Sequence, residues 1–128
     1  MGKFSVSKTQ NGMTFFLTST NGAKIASSNR SFPTKTQLLD AIKRIRDIAV
    51  SADTEDRTQL NHIAITTPKY EIHRPGGRQF YFRLLAQNGE VILMSYSYQQ
   101  KISCLKGIES VRKNAPTADV VMEEDSLC

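Results

Sequence analysis

The feature that most restricts the fold of this chain is its similarity to itself. "KFSVSKTQNGMTFFLTSTNGAKIASS" (3–28) can be laid over "KYEIHRPGGRQFYFRLLAQNGEVILMS" (69–95) with one extra residue in the second copy's first turn. Phe4 then falls on Tyr70, Val6 on Ile72, Phe15 on Phe82 and Leu17 on Leu84, and Asn21-Gly22 falls on Asn88-Gly89. After one deletion the match resumes, with Phe32 on Tyr98, Leu39 on Leu105, Ile42 on Ile108, Arg46 on Arg112 and Ala49 on Ala115. A self-match at fixed spacing is the mark of a repeated supersecondary unit, here about 60 residues long. The boundaries read as 1–67 for a first, degenerate unit, 68–122 for a second, and 123–128 for an acidic tail.

Each unit begins as a meander. Alternation of apolar and polar residues predicts strands over 3–8, 13–17 and 23–27, and over the corresponding 69–73, 80–84 and 90–95. Asn-Gly pairs and the Pro75-Gly76-Gly77 run punctuate them, because these residues tolerate positive φ. A helix follows. In the first unit Pro33 with Thr34 or Thr36 marks its start, and Leu38, Ala41, Ile42, Ile45, Ile48 and Ala49 recur on one helical face. In the second unit Cys104, Gly107, Ile108, Val111 and Ala115 make the stripe, and Asn114-Ala115-Pro116 ends it. Gly107 costs about 1 kcal/mol in a helix interior, so it implies close contact between helix and sheet. "HIAIT" (62–66) and "ADVVM" (118–122) read as a last strand in each unit, with the polar stretch 51–60 as a linker. A lone unit leaves a sheet edge open over a thin core, which two units relieve by joining their sheets.

The stretch "FYFRLLAQNGEVILMSYSYQQKISCLKGIESVRKNAP" (80–116) resembles the central motif of the YegP-like bacterial family, a domain of unknown function. The resemblance rests on Phe82-Arg83-Leu84, on Asn88-Gly89-Glu90-Val91-Ile92, on Tyr98, and on Lys101 through Pro116. It implies an α+β fold: two tandem β3-αβ repeats in a single, largely antiparallel sheet, two helices on one face, and the C-terminal strands exchanged between repeats. "HIAIT" would then lie against the second unit and "ADVVM" against the first. The family tends to carry Ser near the helix cap where this chain has Gln99 and Gln100, and the resemblance supplies no activity.

Reactive constellations are missing from the residue pattern. His62 and His73 are the only histidines; Glu71 and His73 share a strand face, but no third ligand stands nearby. There is no nucleophile elbow, and each glycine turn leads into a strand rather than a phosphate-cradling helix. Asp40 with Arg44 and Glu109 with Arg112 read as ordinary helix-surface pairs. Cys104 reads as a small core residue, and two cysteines cannot by themselves build a disulfide framework or a zinc site. The expectation is therefore a protein without enzymatic activity, cofactor or metal. The N-terminus lacks a signal-peptide apolar region, Val6 breaks the myristoylation pattern, and no apolar run approaches membrane-spanning length, so the expected compartment is the cytoplasm.

Two surfaces remain for binding. If Phe15, Leu17, Phe82 and Leu84 face the helices, then Phe16, Tyr81, Arg83 and Leu85 face outward from the sheet. Tyr96 joins them as an aromatic whose counterpart, Asn29 or Arg30, is polar. Such a face suits a protein partner, another protein or a second copy of this chain, or it is covered by the chain itself. It also has the aromatic and arginine content of single-strand nucleic-acid platforms. Leu85 and Phe16 tilt it toward protein. The second surface is the helix exteriors, where Arg46 and Arg112 hold equivalent positions and could meet phosphates. The net charge of +5 is uneven: without Asp119, Glu123, Glu124 and Asp125 the chain has 17 basic against 8 acidic residues. That basic body keeps weak nucleic-acid binding as the alternative to an interaction module, in a monomer or homodimer.

Overall fold

The computed structural model describes residues 2–122. The tail expected at 123–128, with Cys128, lies outside the described residues. Three strands, β1 (Lys3–Thr9), β2 (Gly12–Thr18) and β3 (Lys24–Ser27), lead to helix α1 (Lys35–Ile48) and a short strand β4 (Asp53–Asp56). The order recurs as β5 (Lys69–His73), β6 (Tyr81–Leu85), β7 (Val91–Ser95), α2 (Lys101–Asn114) and β8 (Asp119–Met122). All eight strands form one sheet in the order β4-β5-β6-β7-β3-β2-β1-β8. The internal pairings are antiparallel; only the outermost, β4 with β5 and β8 with β1, are parallel. Each strand that follows a helix thus crosses to the other half of the sheet.

The alternation seen in the sequence sorts the faces. Phe4, Val6, Phe15, Leu17, Tyr70, Ile72, Phe82 and Leu84 are buried on the side where both helices pack, in one core with Leu38, Ile42, Ile45, Ile108 and Val111. Gly22 and Gly89 hold φ of +85° and +86° in the two Asn-Gly turns, a conformation that favours glycine. Thr34 caps α1 by accepting from the Gln37 N–H at 3.2 Å, whereas Gln100, at the start of α2, makes no side-chain cap bond. Gly107 answers its expectation: an added Cβ would lie 2.9 Å from Phe82 Cε2 and collide with the Tyr98 ring. Cys104 is buried, and burial pushes its thiol up to about 11.

The strand expected at 62–66 is a correction. Residues 62–66 have no regular structure, and the strand lies instead at Asp53–Asp56, inside the stretch 51–60 read as a linker. The reason is topological. Parallel neighbours need a return path of about a dozen residues, and 57–68 is that return from β4 to β5. Strand β4 reads Asp-Thr-Glu-Asp, without apolar alternation, and is held by charge.

Candidate binding surface

The register carries one row of residues across the outer face: Glu55, Glu71, Arg83, Met94, Ser27, Phe16, Ser5 and Val121, one from each strand. This face divides into two halves of different character.

The half built from β4, β5 and β6 is sealed. Glu55 and Glu71 are almost fully buried, 1% and 2% exposed, and the Lys69 ammonium bridges them at 2.7 and 3.0 Å. Arg57 reaches both carboxylates at 3.1 and 3.5 Å, and Arg83 Nη2 and His73 lie 2.8 and 2.9 Å from Glu71. The return segment closes over this cluster: the Ile65 N–H donates to Glu55 at 2.8 Å and His62 Nε2 stands 3.4 Å from it. Burial by itself pushes the Glu71 carboxyl up, but hydrogen bonds from His73, Lys69 and Arg83 outweigh it and hold the carboxyl at about 2. Glu55 is treated alike, raised by burial and lowered further by Lys69, the Ile65 amide and Arg57, to a net value below the usual carboxylate range. Lys69 is raised by its bond to Glu55, against the opposing effect of burial.

Three of the expected site residues fall in or beside this sealed half. Leu85 is a correction: it was expected outward and open, but it is 7% exposed. Its cross-strand partner is Lys69 of the outer-face cluster, so Leu85 keeps its outward direction and is buried together with that cluster. Arg83 is committed to Glu71 by Nη2 at 2.8 Å and Nε at 2.9 Å. Tyr81 stacks on His73 with centroids 5.3 Å apart and borders a shallow pocket with Arg78, Gln79 and Ser97.

The other half, β7, β3, β2, β1 and β8, is open. Phe16 and Tyr96, the latter 46% exposed, line one shallow groove with Thr14, Ser27, Asn29 and Arg30. Met94 and Val121 extend the apolar row to either side, with the small residues Ser27 and Ser5 between the larger ones. The Lys24 ammonium sits 4.5 Å above the Phe16 ring. Lys3 and Lys24 have no ion-pair partner among the described residues. Arg30 is paired with Glu90 at 2.5 Å and rests over Phe32.

Arg46 and Arg112 are equivalent, but as clasps. Arg46 lies over the Phe4 ring and donates to the Ala118 carbonyl, just before β8. Arg112 lies over Tyr70 and donates to the Val50 carbonyl and to Thr54 Oγ1, at and just before β4. Each guanidinium therefore ties down the strand that arrives from beyond the other helix, rather than standing free in solvent or open to a phosphate. The pairs Asp40–Arg44 and Glu109–Arg112 form at 3.4 and 3.2 Å. Among the described residues no group of three His, Cys, Asp or Glu side chains is disposed to hold a metal ion. None of the described helices is long and apolar enough to cross a membrane.

The sheet, its crossed edge strands and the motif at 80–116 define a small α+β protein of a recognisable kind. The family model "Domain of unknown function (DUF1508)" matches residues 77–121. A UPF0339 protein of Treponema denticola is 57% identical over 53 residues, which are 41% of this chain and 91% of that protein. One from Methanosarcina acetivorans is 41% identical over 56 residues, covering 44% of this chain and 97% of the relative. The chain belongs to the UPF0339 family, as does the YegP protein of Yersinia pestis. Its fold matches the solution structure of E. coli yegP, itself described as a protein of unknown function, with a TM-score of 0.77 and 27% identity over 95% of this chain and 92% of that one. A UPF0339 protein of Shewanella oneidensis, 22% identical, shares the fold with the same TM-score over 94% of this chain and 90% of that one.

Proposed function

We propose that this chain is a non-catalytic interaction module that binds another protein across the open half of the outer sheet face. One observation carries the reading: Phe16 and Tyr96 share a groove on a face whose other half the chain seals with its own return segment. Sealing one half while leaving aromatic and apolar side chains accessible on the other is the pattern of a contact surface. Lys3 and Lys24 beside the row, without an ion-pair partner among the described residues, favour a partner with an apolar centre and an acidic rim.

The experiment immobilises the full chain and compares capture by the natural protein, by Tyr96→Ser and Phe16→Ser, and by a control altered at the distant Leu60. A partner retained by the natural protein and the control but weakened about tenfold by either groove variant supports the reading. If no captured protein depends on the groove, the reading fails.

A second reading, binding of single-stranded nucleic acid, is favoured by the Lys24 ammonium over the Phe16 ring. With Leu85 buried, one of the two residues that tilted the face toward protein is also withdrawn. Binding of a labelled single-stranded oligonucleotide that weakens steeply above about 50 mM salt would establish it. No binding at that salt would end it.

A further inference from the structure

The two sheet edges are filled by strands that leave their helices in the same way. Ala52 and Ala118 are both buried, and each is followed by an aspartate that opens the strand. Beyond that point the strands diverge: Thr54-Glu55-Asp56 on one side, Val120-Val121-Met122 on the other. The slots that receive them diverge correspondingly. Beside β5, Glu55 meets Lys69 at 2.7 Å, Asp56 meets Lys101 at 2.8 Å, and Thr54 accepts from Arg112 at 3.1 Å. Beside β1, Val120 packs on the core next to Phe4, and Met122 stands opposite Val6.

We propose that the slot beside β5 is a recognition site for an acidic strand and the slot beside β1 one for an apolar strand, so that the two strands cannot be interchanged. An apolar strand beside β5 would leave Lys101 without its carboxylate, and it would strip Lys69, 8% exposed, of one of its two. An acidic strand beside β1 would give up the packing of Val120 on the core and set a carboxylate opposite Val6, where the natural strand places Met122. Parallel pairing of the backbone is available to any sequence in either slot, so side-chain charge is the distinguishing element. The cations are supplied by β5 and by both ends of α2, which fixes the acidic strand in register as well as in place.

The test uses the full chain and reads amide hydrogen exchange in β4 and β8 separately. Asp56→Lys, at a partly exposed pair, should speed exchange of the 53–56 amides at least tenfold and leave 119–122 within about threefold. Asp56→Lys combined with Lys101→Glu should restore protection. A second variant interchanges the two strand sequences, with Thr54→Val, Glu55→Val and Asp56→Met made together with Val120→Thr, Val121→Glu and Met122→Asp. It should lose protection at both edges while the amides of β2 and β6 stay protected. Natural protection in the interchanged variant, or failure of the charge-reversed pair to restore that of the single change, would overturn the proposal.

Discussion

Glu71 offers the most quantitative prediction. Its carboxylate is 2% exposed and receives Lys69, Arg83 and His73 within 3.0 Å. These partners lower it from 4.5 to about 2 in the fold. At 1.36 kcal/mol for each tenfold change in proton affinity, that is roughly 3 kcal/mol of stability. Because the folded value lies below the unfolded one, the contribution is fully present above about pH 4.5 and disappears as the pH falls toward 2. Glu71→Gln removes the charge at every pH. Urea unfolding of both proteins from pH 7 to pH 2 should show a gap of up to about 3 kcal/mol at neutral pH that narrows only below pH 4.5. A gap independent of pH, or a natural protein as stable at pH 3 as at pH 6, would refute the account of the cluster.

Other outcomes follow from the same contacts. Gly107→Ala gains up to about 1 kcal/mol of helix propensity but meets Phe82 and Tyr98, so thermal unfolding should show a net loss of about 1–2 kcal/mol. Arg112→Ala should cost about 2 kcal/mol, from two hydrogen bonds and the stack on Tyr70, and should speed amide exchange in β4 before β8. Leu60→Ser and Ile63→Ser, at positions 96% and 82% exposed, should each change stability by less than about 0.5 kcal/mol in urea titrations.

The readable parts of this fold were those that obey a period. Phe4 with Val6, Phe15 with Leu17 and the α1 stripe announced the core, and Asn21-Gly22 and Asn88-Gly89 announced the turns. Strand β4 was missed because a charged edge strand carries no apolar alternation. It was legible by another route: the spacing that sets Ala49 on Ala115 also sets Ala52-Asp53 on Ala118-Asp119. The cluster on the sealed half was half visible. Lys69, Glu71 and His73 stand two residues apart on one strand, but Glu55 comes from β4 and Arg57 from the return segment, and only the fold assembles them. Arg46 and Arg112 were matched correctly in position. Their role depends on carbonyls more than 60 residues away, which no local pattern encodes. On the open half, pairing β3 with β7 joins Ser27 to Met94 and brings Tyr96 and Phe16 into one groove, a contact between strands more than 60 residues apart in sequence that no local pattern encodes.

The most direct test of the interaction surface is a footprint in solution. With the captured partner added to the isotopically labelled chain, the side-chain resonances of Phe16, Tyr96, Met94 and Val121 should shift or broaden, while those of Leu85 and the buried face of α2 stay in place. A footprint confined to the helices or to the return segment, with Phe16 and Tyr96 unmoved, would contradict the assignment of the open half as the binding face.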